Sequence, residues 1–115
     1  MALTDRETLQ SGATAVTTFS DTVEFANWDG GSFQVVWNSN YNAGSAGTDV
    51  FTLYGSNDNS NFEALENGSV SLTTGGGNKV FNLTYVGYDY IKGEYVPDSA
   101  TTGQLSVYVV RKSRQ

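Results

Sequence analysis

Four oxygen-bearing side chains crowd the stretch "GSNDNSNFE": Asn57, Asp58, Asn59 and Glu63. A calcium loop draws on such residues, since Ca²⁺ takes about six to eight oxygens, several of them from carboxylates. The pattern is incomplete, because position 60 is Ser and the glycine that sharpens a calcium loop is missing from its place. Asn and Asp also cap their own turns and tolerate left-handed backbone, so a plain hairpin turn accounts for the same composition. No metal or cofactor is expected. The chain has no Cys and no His, which removes thiolate chemistry, the commonest general base and the commonest metal ligand together. Twelve Asp and Glu residues could in principle supply a glycosidase pair, yet none stands in a run that suggests a cleft. A Ser or Thr nucleophile would need Lys79 or Lys92 as its base, and neither belongs to a Ser-x-x-Lys pattern. "TTGGGNK" lacks the G-K-[ST] of a phosphate loop. Catalysis is therefore not expected.

The elements that carry these residues are strands. Runs of β-branched and aromatic residues recur between Gly, Asn, Asp and Ser clusters and predict strands at 14–20, 22–27, 32–38, 49–55, 61–65, 79–85, 89–96 and 104–111, with a further short one at 69–73. "LTDRE" at 3–7 has a capping-box pattern, Thr4 with Glu7 three residues later, and predicts a short helical turn. Short strands at this spacing, without helical crossovers, predict an all-β fold. The expected form is a single antiparallel two-sheet sandwich of about eight strands, jelly-roll-like, with a short N-terminal arm or helical turn. The expected organisation is an arm at 1–12, the sandwich at 13–111 and a basic tail at 112–115. Alternation nominates Phe33, Val35, Trp37, Phe51, Leu53, Leu105, Val107 and Val109 as core, joined by Ile91 and Tyr95.

Net charge is −6, but Arg111, Lys112 and Arg114 lie in the last five residues, leaving 3 basic against 12 acidic groups in residues 1–110. An acidic body repels phosphate backbones and anionic lipid, so neither nucleic acid nor membrane is an expected partner. "MALTDRETLQ" has no apolar secretory core, and no run approaches the roughly 18 apolar residues of a membrane span. Two features stand out as surfaces. Tyr85, Tyr88, Tyr90 and Tyr95 crowd one segment; if Ile91 and Tyr95 point inward, Tyr90 points outward with Lys92 and Glu94, as edge packing or as a contact surface. Trp28 lies in the turn-like "NWDGG", where a tryptophan needs a partner surface in this chain or another. The basic end is either a solvated tail or a docking element for an acidic partner.

"FTLYGSNDNSNFEAL", the Gly-rich turn after it, "KVFNLTYVGYDYIKGEYVPDSATTGQLSVYVV" and the short charged end resemble the small β-sandwich accessory proteins of tailed bacteriophage virions. The matching positions are Gly55, Ser56, Asn57, Asp58 and Phe62, then Tyr90, Ile91 and Lys92, then Thr102, Gly103 and Leu105, within residues 50–111. The resemblance is one of turn chemistry and core aromatics. It implies a head decoration or cement protein, made in the host cytoplasm and bound to the outer surface of the phage head. The partner would be the major capsid protein, and the subunits would form a homodimer or homotrimer. Contacts are then expected from Leu3, Arg6 and Leu9 of the N-terminal segment, from Trp28 and Tyr90, and from Arg111, Lys112 and Arg114. The alternative is a carbohydrate- or receptor-binding sandwich on a tail or fibre, with Asn-rich loops and exposed tyrosines meeting a glycan.

Overall fold

The short apolar runs become nine strands in the computed structural model, which describes residues 2–11, 17–26, 28, 30–43, 49–84, 88–97 and 102–112. They are β1 (Ala2–Ser11), β2 (Thr18–Phe19), β3 (Val23–Glu24), β4 (Gly30–Trp37), β5 (Val50–Ser56), β6 (Glu63–Ser71), β7 (Gly77–Thr84), β8 (Tyr90–Val96) and β9 (Gln104–Lys112). No helix occurs among the described residues. All pairings are antiparallel, and they nest. β5 pairs with β6 across the Asn-rich turn, β4 with β7, the short β2 and β3 both with β8, and β1 with β9. The chain is thus one long ribbon folded back on itself at the turn. The ribbon rolls up when β4 also pairs with β9 and β5 with β8, which gives one sheet ordered β1-β9-β4-β7 and another ordered β2-β8-β5-β6, with β3 continuing the β2 edge. With β2 and β3 counted as one interrupted strand, this is the eight-stranded jelly roll expected from the sequence.

Every nominated core residue is buried between the sheets: Phe33, Val35, Trp37, Phe51, Leu53, Ile91, Tyr95, Leu105, Val107 and Val109. Phe25, Tyr41, Ala43, Leu72 and Phe81 join them. The Trp37 indole reaches out of the core to donate to the Thr73 carbonyl at 3.0 Å, so its one polar atom is satisfied.

Two expectations are corrected. Residues 3–7 form no helical turn; they belong to β1, paired with β9 from Ala2↔Lys112 to Ser11↔Gln104, with Leu9 as an extra residue between Thr8 and Gln10. A capping box is worth about 1 kcal/mol and no apolar helical face follows it, whereas a ladder along β9 satisfies the backbone of the whole segment. Most of the stretch assigned to an arm is therefore an edge strand of the sheet. The runs at 61–65 and 69–73 are likewise one strand, β6. Asn67, at φ 59°, absorbs an irregularity opposite Thr52–Tyr54, so the gap between the two expected runs works as a bulge.

Candidate contact face

The register of the β1-β9-β4-β7 sheet stacks residues into rows across its outer side. One row runs Arg6–Tyr108–Gln34–Val80 and its neighbour Thr8–Ser106–Val36–Asn78. Side chains tie the rows together: the Arg6 guanidinium lies 5.6 Å from the Tyr108 ring centroid and donates to Ser106 Oγ at 3.4 Å, and Gln34 Nε2 donates to Asn78 Oδ1 at 3.4 Å. Val107 and Val109 point into the core, so strand alternation sends Ser106, Tyr108, Val110 and Lys112 to this outer face. Its described side chains are Ser, Thr, Asn, Gln, Val, Tyr, Arg6 and Lys112, with no carboxylate among them. In register, Asp5 and Glu7 of β1 stand opposite Val109 and Val107, out of the Arg6 row. The exposed acids Asp21, Glu24, Asp58, Glu63, Glu66 and Asp89 all lie elsewhere. A chain of net charge −6 thus presents one sheet face that is basic.

The structure unites some of the nominated contact residues and separates others. Arg6 and Lys112 share this face, and Lys112 is a β9 residue, not the start of a free tail. Arg111 turns to the rim between the sheets, where Nη1 donates to the Glu24 carbonyl at 2.9 Å and the guanidinium lies 5.2 Å from the Trp28 ring centroid. Trp28 is half-buried and packs against the core, and its amide donates to the Phe25 carbonyl at 2.9 Å. The loop tryptophan that needed a partner surface finds one in this chain, and Arg111 and Trp28 together fasten the β2–β3 edge to β9. Beside them a groove of about 500 Å³ opens along the rim, floored by Phe33, Val107 and Val109. Tyr90 lies in the other sheet, half-buried at the start of β8, opposite Glu24 and Ser56. Leu3 and Leu9 are placed by backbone in β1, while Arg114 lies outside the described residues. Sequence reasoning missed Tyr108, Gln34 and Val80. The alternation of "QLSVYVV" carries the signal for Tyr108, but the row itself exists only through register.

The Asn-rich knot is the β5–β6 turn, and Asp58 organises it. Its Oδ1 accepts from the amides of Ser60 at 2.9 Å and Asn61 at 2.8 Å and from the Ser56 hydroxyl at 2.8 Å, while Oδ2 accepts from Asn61 Nδ2 at 2.7 Å. Asn59 takes the left-handed backbone the turn requires, at φ 60°. The carboxylate is engaged by its own turn, which favours the hairpin reading over the calcium loop. The amide and side chain of Asn61 hold the Asp58 carboxyl well below the usual carboxylate range, and the Ser60 amide and Ser56 hydroxyl add to this. With its folded pKa depressed, the stabilisation is present above the ordinary Asp value of about 3.9 and is lost as pH falls through the folded value. An NMR titration should find Asp58 ionised at pH values where ordinary carboxyls are protonated. A normal titration would show that these hydrogen bonds do not persist in solution.

The outer face of the other sheet carries an aromatic cluster. The Lys92 ammonium lies 4.5 Å from the Phe19 centroid and 4.1 Å from that of Phe62, and Phe19 is 50% exposed. Beside it the Tyr54 hydroxyl hydrogen-bonds Glu94, which raises its pKa.

No protein-family model matches the chain, and no curated protein sequence does. Among solved structures, the SPBc2 prophage-derived protein YomS aligns with a TM-score of 0.58 at 11% identity, over 96% of this chain and 94% of that one. That likeness shows a shared fold. The K1 cleaved adhesin domain of Lys-gingipain from Porphyromonas gingivalis W83 aligns at 0.49 with 19% identity, over 86% of this chain and 63% of that one. The coat protein dimer of Tobacco streak virus aligns at 0.47 with 11% identity, over 99% and 87%. These two looser likenesses carry no argument.

Proposed function

We propose that the chain is a non-enzymatic structural protein of a bacteriophage particle, a decoration or cement subunit bound to the outer surface of the head. The observation that carries this reading is the basic outer face of the β1-β9-β4-β7 sheet, with no carboxylate among its described side chains, on an otherwise acidic chain. Such a face fits an acidic protein lattice. The fold shared with a prophage-derived protein and the turn and strand pattern of the sequence support the phage setting. The role requires free energy and no chemistry. A subunit that binds only the assembled shell stabilises it by mass action, and one that bridges two neighbouring shell subunits makes its second contact intramolecular.

A carbohydrate-binding role on a tail or fibre is the competing reading, and the Phe19–Lys92–Phe62 cluster is the surface it would use. There Lys92 lies over both rings, which takes up ring faces that would stack on a sugar. The test is cosedimentation of the purified protein with heads that lack it, followed by heating. Saturable binding that raises the disruption temperature is expected. Binding should weaken as salt rises, and Arg6→Glu with Lys112→Glu should weaken it by about tenfold or more at low salt. Binding to glycans or cells in place of heads, insensitive to salt, would overturn the decoration role.

A further inference from the structure

The two sheets leave four outer edges: β1 and β7 in one, β6 and the β2–β3 edge in the other. An open edge is a template for another strand unless something spoils it, and three of the four are spoiled. The β2–β3 edge consists of two-residue pieces. β6 carries Glu63 and Glu66, and its ladder is broken near Asn67 at φ 59°. Pairing β1 antiparallel with a second copy about Arg6 sets Arg6 against itself and Asp5 against Glu7 twice, and moving the centre by one residue opposes two Asp5 or two Glu7. Like charges directly opposite are destabilising in a sheet.

β7 is different. It reads "GNKVFNLT", with one charge in eight residues, and it has no partner on its outer side among the described residues. With the same face kept outward on both copies and the centre at Val80, Asn78 lies opposite Asn82, Lys79 opposite Phe81 and Gly77 opposite Leu83, so no like charges meet. The one lysine also helps to select the register, since a centre at position 79 would oppose two ammonium groups. Val80, at the centre, is 42% exposed. Along the same side runs a groove of about 330 Å³ between β6 and β7, lined by Leu53, Leu65, Phe81 and Leu83 together with Glu66 and Lys79. In each copy Lys79 Nζ already lies 5.9 Å from the Phe81 ring centroid. An arriving Lys79 meets the groove, whose Glu66 carboxylate offers it an opposite charge.

We propose that two copies of this chain join through β7, antiparallel about a two-fold axis at Val80. The two four-stranded sheets become one sheet of eight, and the Arg6–Tyr108–Gln34–Val80 row continues through its copy. The dimer's outer face is a single basic surface with two Arg6 and two Lys112. This pairing holds whether or not the surface binds a phage head, and its test uses the isolated protein.

The chain has no cysteine, so a single introduced thiol reports on itself. Directly opposed residues of an antiparallel pair have Cα atoms about 4.5–5.5 Å apart, within the disulfide range of about 4.4–6.8 Å. Mild oxidation of Val80→Cys should give a covalent dimer, while Val110→Cys, on the same face two strands inward, should stay monomeric. By sedimentation the wild-type chain should be a dimer. Val80→Glu and the pair Asn78→Lys with Asn82→Lys should each raise its dissociation constant at least about 100-fold with the strand circular dichroism retained. The pair Asn78→Asp with Asn82→Lys places opposite charges across the axis and should still dimerise. A wild-type chain that sediments as a monomer at every attainable concentration, or as a trimer, overturns the proposal. So does a dimer indifferent to Val80→Glu, or a Val80→Cys chain that oxidises no faster than Val110→Cys.

Discussion

Truncating Phe51 to alanine is expected to cost about 3–5 kcal/mol, a large part of the roughly 5–15 kcal/mol that holds a domain together. The ring belongs to an inner strand of its sheet, is fully buried and stands 6.3 Å, centroid to centroid, from Phe81 of the facing sheet. Its removal opens a void where the sheets meet. The space the ring occupies is provided by Gly93 of β8, a glycine kept there for room: a Cβ at that position would come within 2.2 Å of the Phe51 ring and 2.7 Å of a second ring atom. Gly93→Ala should therefore destabilise by about 1–3 kcal/mol through overpacking, and more if the ring cannot tilt. The two positions compete for one volume, so the double variant Gly93→Ala with Phe51→Leu should lose less than the sum of its single variants. Urea midpoints of the four proteins measure the coupling. Strict additivity would mean that Gly93 serves something other than the ring.

Alternation was enough to find the faces of β4, β5, β8 and β9. Phe33, Val35 and Trp37 alternate with Gln34 and Val36 because one side of the strand is core and the other is not. The nesting of the ribbon was legible only as an expected class, since strand order depends on pairings between residues up to about a hundred positions apart, such as Arg6 with Tyr108. Local signals failed where a weak local preference met a strong tertiary one. Thr4 and Glu7 spell a helix cap, but β9 offered the same residues a full ladder. Residues 61–65 and 69–73 read as separate strands, but β5 pairs on both sides of the gap and joins them in one strand. The contact face was half legible. Arg6 and Lys112 were nominated for their charge, whereas the rows that bring Arg6 beside Tyr108 and Gln34 follow from the register. Trp28 and Arg111 were nominated separately, and only the fold makes them each other's partners.

Tyr41 illustrates the most consequential position that composition concealed. "NYNAGSAG" reads as a loose connection, yet Tyr41 is buried, and its hydroxyl donates to Asp49 Oδ2 at 2.9 Å while lying 2.8 Å from the Tyr95 hydroxyl. The backbone around it is equally committed. Its amide donates to the Asn38 carbonyl, its carbonyl accepts from Gly75, and Gly103, at φ +115°, packs so close that a Cβ would come within 2.4 Å of the Tyr41 Cα. The three side chains thus pin the β4–β5 connection to β8. Tyr41→Phe keeps the ring but removes one hydrogen-bond partner from a buried carboxylate and one from a buried hydroxyl, at a cost of about 1–3 kcal/mol. Burial, first of all, pushes the Tyr41 and Tyr95 hydroxyls above their ordinary pKa, and the nearby Asp49 carboxylate pushes both further up. The raised values keep the neutral forms in the fold, so their contribution is complete below about pH 10 and is lost above it, as the unfolded chain releases protons that the folded chain retains. With both groups raised, stability falls as pH climbs above about 10, and Tyr41→Phe should make that fall shallower. Urea midpoints measured from pH 9 upward decide the matter. An unchanged slope in Tyr41→Phe would mean that Tyr41 ionises freely in the folded chain and that the Tyr41–Asp49–Tyr95 cluster does not hold in solution.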